Sequence, residues 1–292
     1  MTRPFVPVDL QNPGQVFACL GFMEAAEVIC GRTQSEFDWS DPARARFYLE
    51  VEDGSDAFAR VLGFLAECEV CGLVPESHSQ ALNMEKWRLP TDLVLRAQGF
   101  AIPPPSAPAM LPARLRRGTD ELVVDHWGDA TQRDKVKWWG GAGGLPGAVI
   151  FAKTLDVIRG QLLESRIAPF ELAAPLSSSF RLDWRRDYVP SETGFSLNAQ
   201  PSVSAVGYPI VELLAVVGLS HTRPHRPSSK DKLHYEYFVH GSALPAVLQR
   251  SQLGAANPVF PCRSYRIRLG WPGQENKDRC ITSVTETTAC HA

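Results

Sequence analysis

Cys68-x-x-Cys71 has the spacing that opens one half of a zinc ribbon, but the chain supplies no second pair, and Cys262 and Cys280 stand far apart. Cys68 also completes the apolar face formed by Phe58, Val61, Leu62 and Leu65. There a cysteine packs as a small hydrophobe, so core packing is expected and no metal. His221 and His225 have helical zinc-ligand spacing, yet Pro224 and Pro227 forbid a helix and no Glu follows His221. They read as solvated loop histidines.

The glycines at 140, 141, 143 and 144 lack the Gly-Lys-Ser/Thr ending of a nucleotide loop and do not spell G-x-G-x-x-G. Two readings stay open for them. One is an anion site of exposed amides at a helix N-terminus, with Lys135, Lys137 and Trp138 beside it; the other is a tight turn beneath two core tryptophans. Asp120, Asp125, Asp129 and Asp134 near those lysines suggest a metal-dependent nuclease, but Asp134-Lys135-Val136 puts valine where such a site carries lysine. No Gly-x-Ser-x-Gly elbow occurs. No catalytic residue and no cofactor are assigned, and the protein is expected not to be an enzyme.

What the sequence does repeat is arginine and lysine interleaved with aromatics. The clusters are Arg114/Arg116/Arg117, Lys135/Lys137 by Trp138, Arg181/Arg185/Arg186 around Trp184, Arg223/Arg226/Lys230/Lys232, and Arg263/Arg266/Arg268 by Tyr265. Guanidinium forks bind phosphate and aromatic faces stack bases. The same clusters read alternatively as solvated faces, and Asp183 and Asp187 are placed to neutralise their arginine neighbours.

The elements that must position these groups read as follows. Asn12 is placed to cap a helix with Pro13 at its first position, Gln15 completing a capping box and Gly31 ending it. The run carries only Glu24 and Glu27 as charges, so it is buried on most sides. Ala45, Phe47, Leu49 and Val51 alternate with Arg44, Arg46, Tyr48 and Glu50 as a half-buried strand. A second helix follows Asp53-Gly54, so residues 1–75 read helix–strand–helix. Beyond a proline-rich, uncharged stretch at 99–113, strands are expected at 121–127, 135–139, 180–184, 233–239, 264–271 and 280–285. Helices are expected at 146–164 and 208–219, the second ended by Gly218. This order lacks a βαβ rhythm and argues an α+β fold of mixed helices and mainly antiparallel strands, not a doubly wound sheet. The expected domains are an acidic region 1–98, a linker 99–113 and a basic region 114–292 with a strand-rich C-terminal part.

The chain has 292 residues, 44% hydrophobic and 21% charged, which excludes a disordered polymer. Its net charge of −2 hides an asymmetry: residues 1–85 carry 5 Lys+Arg against 14 Asp+Glu, and residues 86–292 carry 25 against 18. Seven scattered cysteines without an export signal fit reduced thiols and a cytoplasmic location. No apolar run is long enough for a membrane helix.

Four segments, in this order and spacing, resemble the Csb-three family of CRISPR systems of subtype I-U, also called I-G. They are Asn12 to Phe22 (NPGQVFACLGF), Trp138 to Gly144 (WWGGAGG), Ser177 to Tyr188 (SSSFRLDWRRDY) and Tyr208 to Ala215 (YPIVELLA). The resemblance implies a non-catalytic subunit of a crRNA-guided, Cascade-like surveillance complex in antiviral defence, in the role of a compact large subunit. Such a subunit recognises a short motif beside the target, and its implied partners are crRNA, target double-stranded DNA, backbone and guide-processing CRISPR subunits and a helicase-nuclease effector. No membrane partner and no small-subunit helical bundle are expected. On that reading the Pro-braced loop 221–232, expected to be mobile, places Arg223, Arg226, Lys230 and Lys232 on DNA. Lys135, Lys137 and Trp138 form a second contact, and Arg181, Arg185 and Arg186 hold the guide handle or displaced strand. The alternatives are an RNA-binding backbone-type subunit with an RNA-recognition-like sheet, or a metal-dependent nuclease using Asp125 or Asp134.

Overall fold

The computed structural model describes residues 3–41, 43–76, 87–94, 111–125, 145–164, 168–176, 180–185, 205–231, 233–254, 260–271 and 280–290. The fold is α+β with mainly antiparallel sheets. The strand expected at 135–139 and most of the 99–113 stretch lie outside the described residues.

The chain begins β1 (Phe5–Pro7), α1 (Pro13–Ile29), β2 (Thr33–Asp38), β3 (Arg46–Val51), α2 (Ala57–Glu67) and β4 (Glu69–Pro75). That is a βαββαβ order where helix–strand–helix was expected. Three strands were hidden for three reasons. Residues 4 and 7, at the ends of β1, are both proline, and in β2 two of the inward positions are Thr33 and Ser35, so no apolar alternation marks it. Cys68 alone separates α2 from β4. β3 antiparallel to both β1 and β2 gives the spatial order β1-β3-β2, as in a split βαβ unit. β4 instead enters a second sheet, β5-β4-β6-β7, with β5 (Thr91–Val94), β6 (Ala113–Arg117) and β7 (Asp120–Val124).

The rest comprises α3 (Gly147–Ile158), a ribbon of β8 (Ala174–Pro175) and β9 (Val206–Gly207), α4 (Pro209–Leu219), β10 (His234–His240), β11 (Leu244–Pro245), α5 (Ala246–Leu253), β12 (Cys262–Gly270) and β13 (Cys280–Cys290). β10-β12-β13 form a third antiparallel sheet, and β11 extends the first sheet beside β2. Segments from both sides of residues 99–113 therefore share sheets: β4 pairs with β6, and β2 with β11. Residues 180–184 are not a strand. Phe180 and Leu182 point inward and mimic strand alternation, but the N–H groups of Leu182 and Asp183 go to the Glu212 carboxylate and Arg181 has φ +59.

α1 is the centre of the molecule, buried at nearly every position and packed along α4. The two helices cross through glycines. A Cβ on Gly21 would lie 1.9 Å from the Leu214 carbonyl oxygen, and one on Gly218 would lie 2.3 Å from that of Phe17. Gly218 is thus a packing residue inside α4 and not its terminator. Buried Glu24 is neutralised by Arg250 of α5 through bonds of 2.7 and 2.6 Å. The inward faces of β2 and β3, with Phe37, Phe47 and Leu49 all buried, close on α1 and α2, whereas Phe5, Arg46 and Tyr48 face outward. Among the described residues, no helix is long and apolar enough to cross a membrane.

Candidate nucleic-acid interface

The N-termini of α1 and α4 meet the loop 180–185. Each helix carries proline at its first position, where the missing N–H would have had no helical partner. Asn12 does not form the expected capping box. Its side-chain amide donates to Asp183 at 2.8 Å, and Gln15 accepts from the Asp9 N–H at 2.7 Å. The cap is overruled because Asp183 is fully buried and a buried carboxylate must collect donors. A Cβ on Gly14 would stand 2.6 Å from the Leu182 carbonyl oxygen, so glycine lets this loop touch α1.

Asp183 also accepts from the Arg185 N–H at 2.9 Å and from its guanidinium at 2.7 to 3.2 Å. Arg185 donates further to the Phe170 carbonyl and to Glu171, and lies 3.5 Å above the Tyr208 ring. Burial alone would lower its pKa; the bonds and charge of Asp183 outweigh that and raise it. Arg185 is therefore committed to holding the ends of two helices together, and Arg181 is buried beside it.

Above this network lies a groove of about 650 Å³, walled by the segment from Phe5 to Gln11, the start of β3, Arg185, and Arg263 and Tyr265 of β12. Arg263 makes a bidentate pair with Glu286 of β13 at 2.7 and 2.6 Å, which holds the Glu286 carboxyl below its ordinary range. Tyr265 is fully buried and stacked 5.1 Å from Tyr237; its hydroxyl has no hydrogen-bond partner among the described residues. Burial pushes its pKa up, so it remains a neutral donor. The two cations at the mouth differ from these. Among the described residues, exposed Arg44 has no side-chain partner, and Arg46 reaches the Tyr48 hydroxyl, at 3.4 Å, and the Phe5 ring, at 4.8 Å, and is acted on through space by Asp38 and Asp41. Neither forms an ion pair among the described residues. The groove thus presents two guanidiniums without a direct ion pair among the described residues and the exposed Phe5 ring, with Asp9 and Glu171 also in its lining and Asp38 and Asp41 acting on Arg46 through space. Guanidiniums and rings are chemistry suited to a phosphate-bearing chain.

The other expected contacts are dispersed. Arg223 and the 221–231 loop follow the C-terminus of α4 while Arg185 sits at its N-terminus, about 16 Å away at the helical rise. The loop is pinned: His225 and Glu236 exchange two backbone bonds of 2.7 Å, and Arg226 donates to the Asp231 and Ser229 carbonyls. Lys230 is exposed there. Lys135, Lys137, Trp138, Arg186 and Lys232 lie outside the described residues, as do the 140–144 glycines and Asp134. Arg114 pairs with Asp92 and Glu121, Arg117 with Glu67 and Asp120, and Arg266 with Glu236. Cys68 donates to the Leu65 carbonyl and Cys71 to Asp92. Among the described residues, no group of three acidic, histidine or cysteine side chains is placed to hold a metal.

Arg44, Arg46, Phe5 and Tyr48 were not singled out by sequence reasoning. For Arg46 and Tyr48 the signal was present in β3, where arginine and tyrosine occupy the outward alternate positions of a strand otherwise in acidic sequence. No protein-family model, no curated protein and no solved structure matches the chain.

Proposed function

We propose that this protein is a non-catalytic, nucleic-acid-holding subunit of a crRNA-guided DNA surveillance complex of the I-U/I-G kind, in the large-subunit role of recognising target DNA and its adjacent motif. The family resemblance supplies the complex. The observation that supports nucleic-acid contact is the pair of arginines, Arg44 and Arg46, that form no direct ion pair among the described residues and line a groove whose remaining arginines are held by carboxylates. Phosphates attract such a pair and position the strand, and side chains deeper in the groove contact what it carries.

A second reading, an RNA-binding backbone-type subunit, is favoured by one specific observation. The order β1-β3-β2 in a βαββ unit, with aromatic side chains on the outer faces of β1 and β3, is the layout with which RNA-recognition sheets stack bases. Copy number separates the two. Tagged protein purified from cells expressing the complex and a guide is analysed by native mass spectrometry. One copy per guide supports the large-subunit role and several copies the backbone role, whereas a free monomer without RNA contradicts both.

A further inference from the structure

We propose that the outer face of β1 and β3 is a stacking platform for the bases of a single-stranded nucleic acid whose phosphates pass Arg44 and Arg46. This rests on the groove reading above and names the form of nucleic acid that the groove receives. Phe5 and Tyr48 are direct cross-strand partners, with ring centroids 5.7 Å apart. Phe5 keeps 43% of its surface exposed on a sheet face that could have carried a polar residue there. The Arg3 guanidinium lies 4.4 Å over the Tyr48 ring and that of Arg46 4.8 Å over Phe5. The two rings, tilted 52° to one another, and the guanidiniums over them therefore share one face, and both aromatic rings and guanidinium planes accept stacked bases.

Charge fixes which way the strand runs. Arg3 is paired with Glu36 and Glu50, so it contributes a flat surface and no net charge. Those carboxylates repel phosphate from the β2 side of the face. Asp38, opposite Arg46 in register, accepts from the Ser40 N–H at 2.9 Å but keeps its charge and acts on Arg46 through space, as does Asp41. Phosphate is drawn instead to the side where Arg46 and Arg44, without direct ion pairs among the described residues, lead into the groove that Phe5 also lines, past the carboxylates of Asp9 and Glu171. A duplex hides its base faces within its own stack, so the platform suits unpaired strands.

The test uses the full chain and fluorescence anisotropy with a labelled single-stranded RNA, the same sequence as single-stranded DNA, and a DNA duplex. Phe5→Ala and Tyr48→Ala are each expected to weaken single-strand binding by about 5- to 150-fold in Kd, with duplex binding and salt dependence unchanged. Phe5→Leu, which keeps apolar bulk without a ring, is expected to behave like Phe5→Ala and guards against a folding artefact. Tighter RNA binding points to the guide and tighter DNA binding to a displaced strand, and either supports the platform. Wild-type affinity in Phe5→Ala/Tyr48→Ala overturns the platform while leaving the groove in place, provided Arg44→Glu/Arg46→Glu still loses binding. If that variant also binds normally, or the wild type binds no strand, the groove reading falls as well.

Discussion

Replacing Asp183 by alanine should be among the most costly single changes in the molecule. The carboxylate is fully buried and collects the Asn12 amide, the Arg185 N–H and the Arg185 guanidinium. Without it, Arg185 keeps the Phe170 carbonyl, the Tyr208 ring and the largely exposed Glu171, and its side chain is 22% exposed, too little for water to replace what is lost. Breaking one partner of a buried pair costs about 3–5 kcal/mol. The stranded Asn12 amide, whose carbonyl oxygen already lacks a partner, adds about 1–3 kcal/mol. Partial exposure of Arg185 discounts the ion-pair part, so the expected total is about 3–5 kcal/mol. At about 2–4 °C per kcal/mol this lowers Tm by roughly 6–20 °C. Urea unfolding of Asp183→Ala, Arg185→Ala and the double variant measures it. The double variant should lose at least about 2 kcal/mol less than the sum of the singles, because it leaves no uncompensated charge. Additive losses, or a single-variant loss below about 1 kcal/mol, would refute the argument that this network ties α1 to α4.

Two further outcomes follow from local geometry. Gly21→Ala drives a methyl group against the Leu214 backbone, which cannot yield without separating α1 from α4, so a loss of about 3 kcal/mol or more is expected. Gly63→Ala, in α2 with nothing nearer than 3.9 Å, should instead stabilise by about 0.5–1 kcal/mol; equal signs in thermal unfolding would contradict the crossing. Burial pushes the Cys68 thiol up to about 11 and the Cys71 thiol up to about 12. At pH 8 about a thousandth or less of either is thiolate, so iodoacetamide should label both far more slowly than a free peptide thiol. Rapid labelling at either position, read by mass spectrometry, contradicts the buried thiols.

The elements with a strong period were legible. α1 is apolar on most sides, α4 likewise, β3 alternates cleanly, and β10 and β12 alternate over part of their length, because each buries a face too large to leave in water. What escaped were elements whose signal is not apolar: β2 turns threonine and serine inward, and β1 is three residues long. The loop at 180–185 deceived in the other direction, since Phe180 and Leu182 alternate like a strand while a carboxylate from α4 takes the backbone N–H groups.

The site was less legible than the fold for a related reason. Clusters of arginine in sequence say nothing of the acids that tertiary pairing brings to them. Arg117 meets Glu67 from 50 residues away, Arg266 meets Glu236 from 30 and Arg263 meets Glu286 from 23. Conversely, the acidic total of the first 85 residues concealed Arg44 and Arg46, which form no direct ion pair among the described residues although Asp38 and Asp41 act on Arg46 through space. Asn12 was read correctly as a marker of the start of α1, but its amide serves Asp183, 171 residues away, and not the helix end.

The central claim is that the groove holds a phosphate-bearing strand through Arg44 and Arg46, and the salt dependence of binding tests it most directly. Affinity for a single-stranded RNA is measured across a salt series for wild type and Arg44→Glu/Arg46→Glu, with Lys153→Glu, on α3, as a control. Each lost phosphate contact on a single strand should reduce the slope of log K against log salt by about 0.7, so the double variant should lose about 1.4 of slope along with most of its affinity. An unchanged slope and affinity in the double variant, or an equal loss in the Lys153→Glu control, would contradict the account.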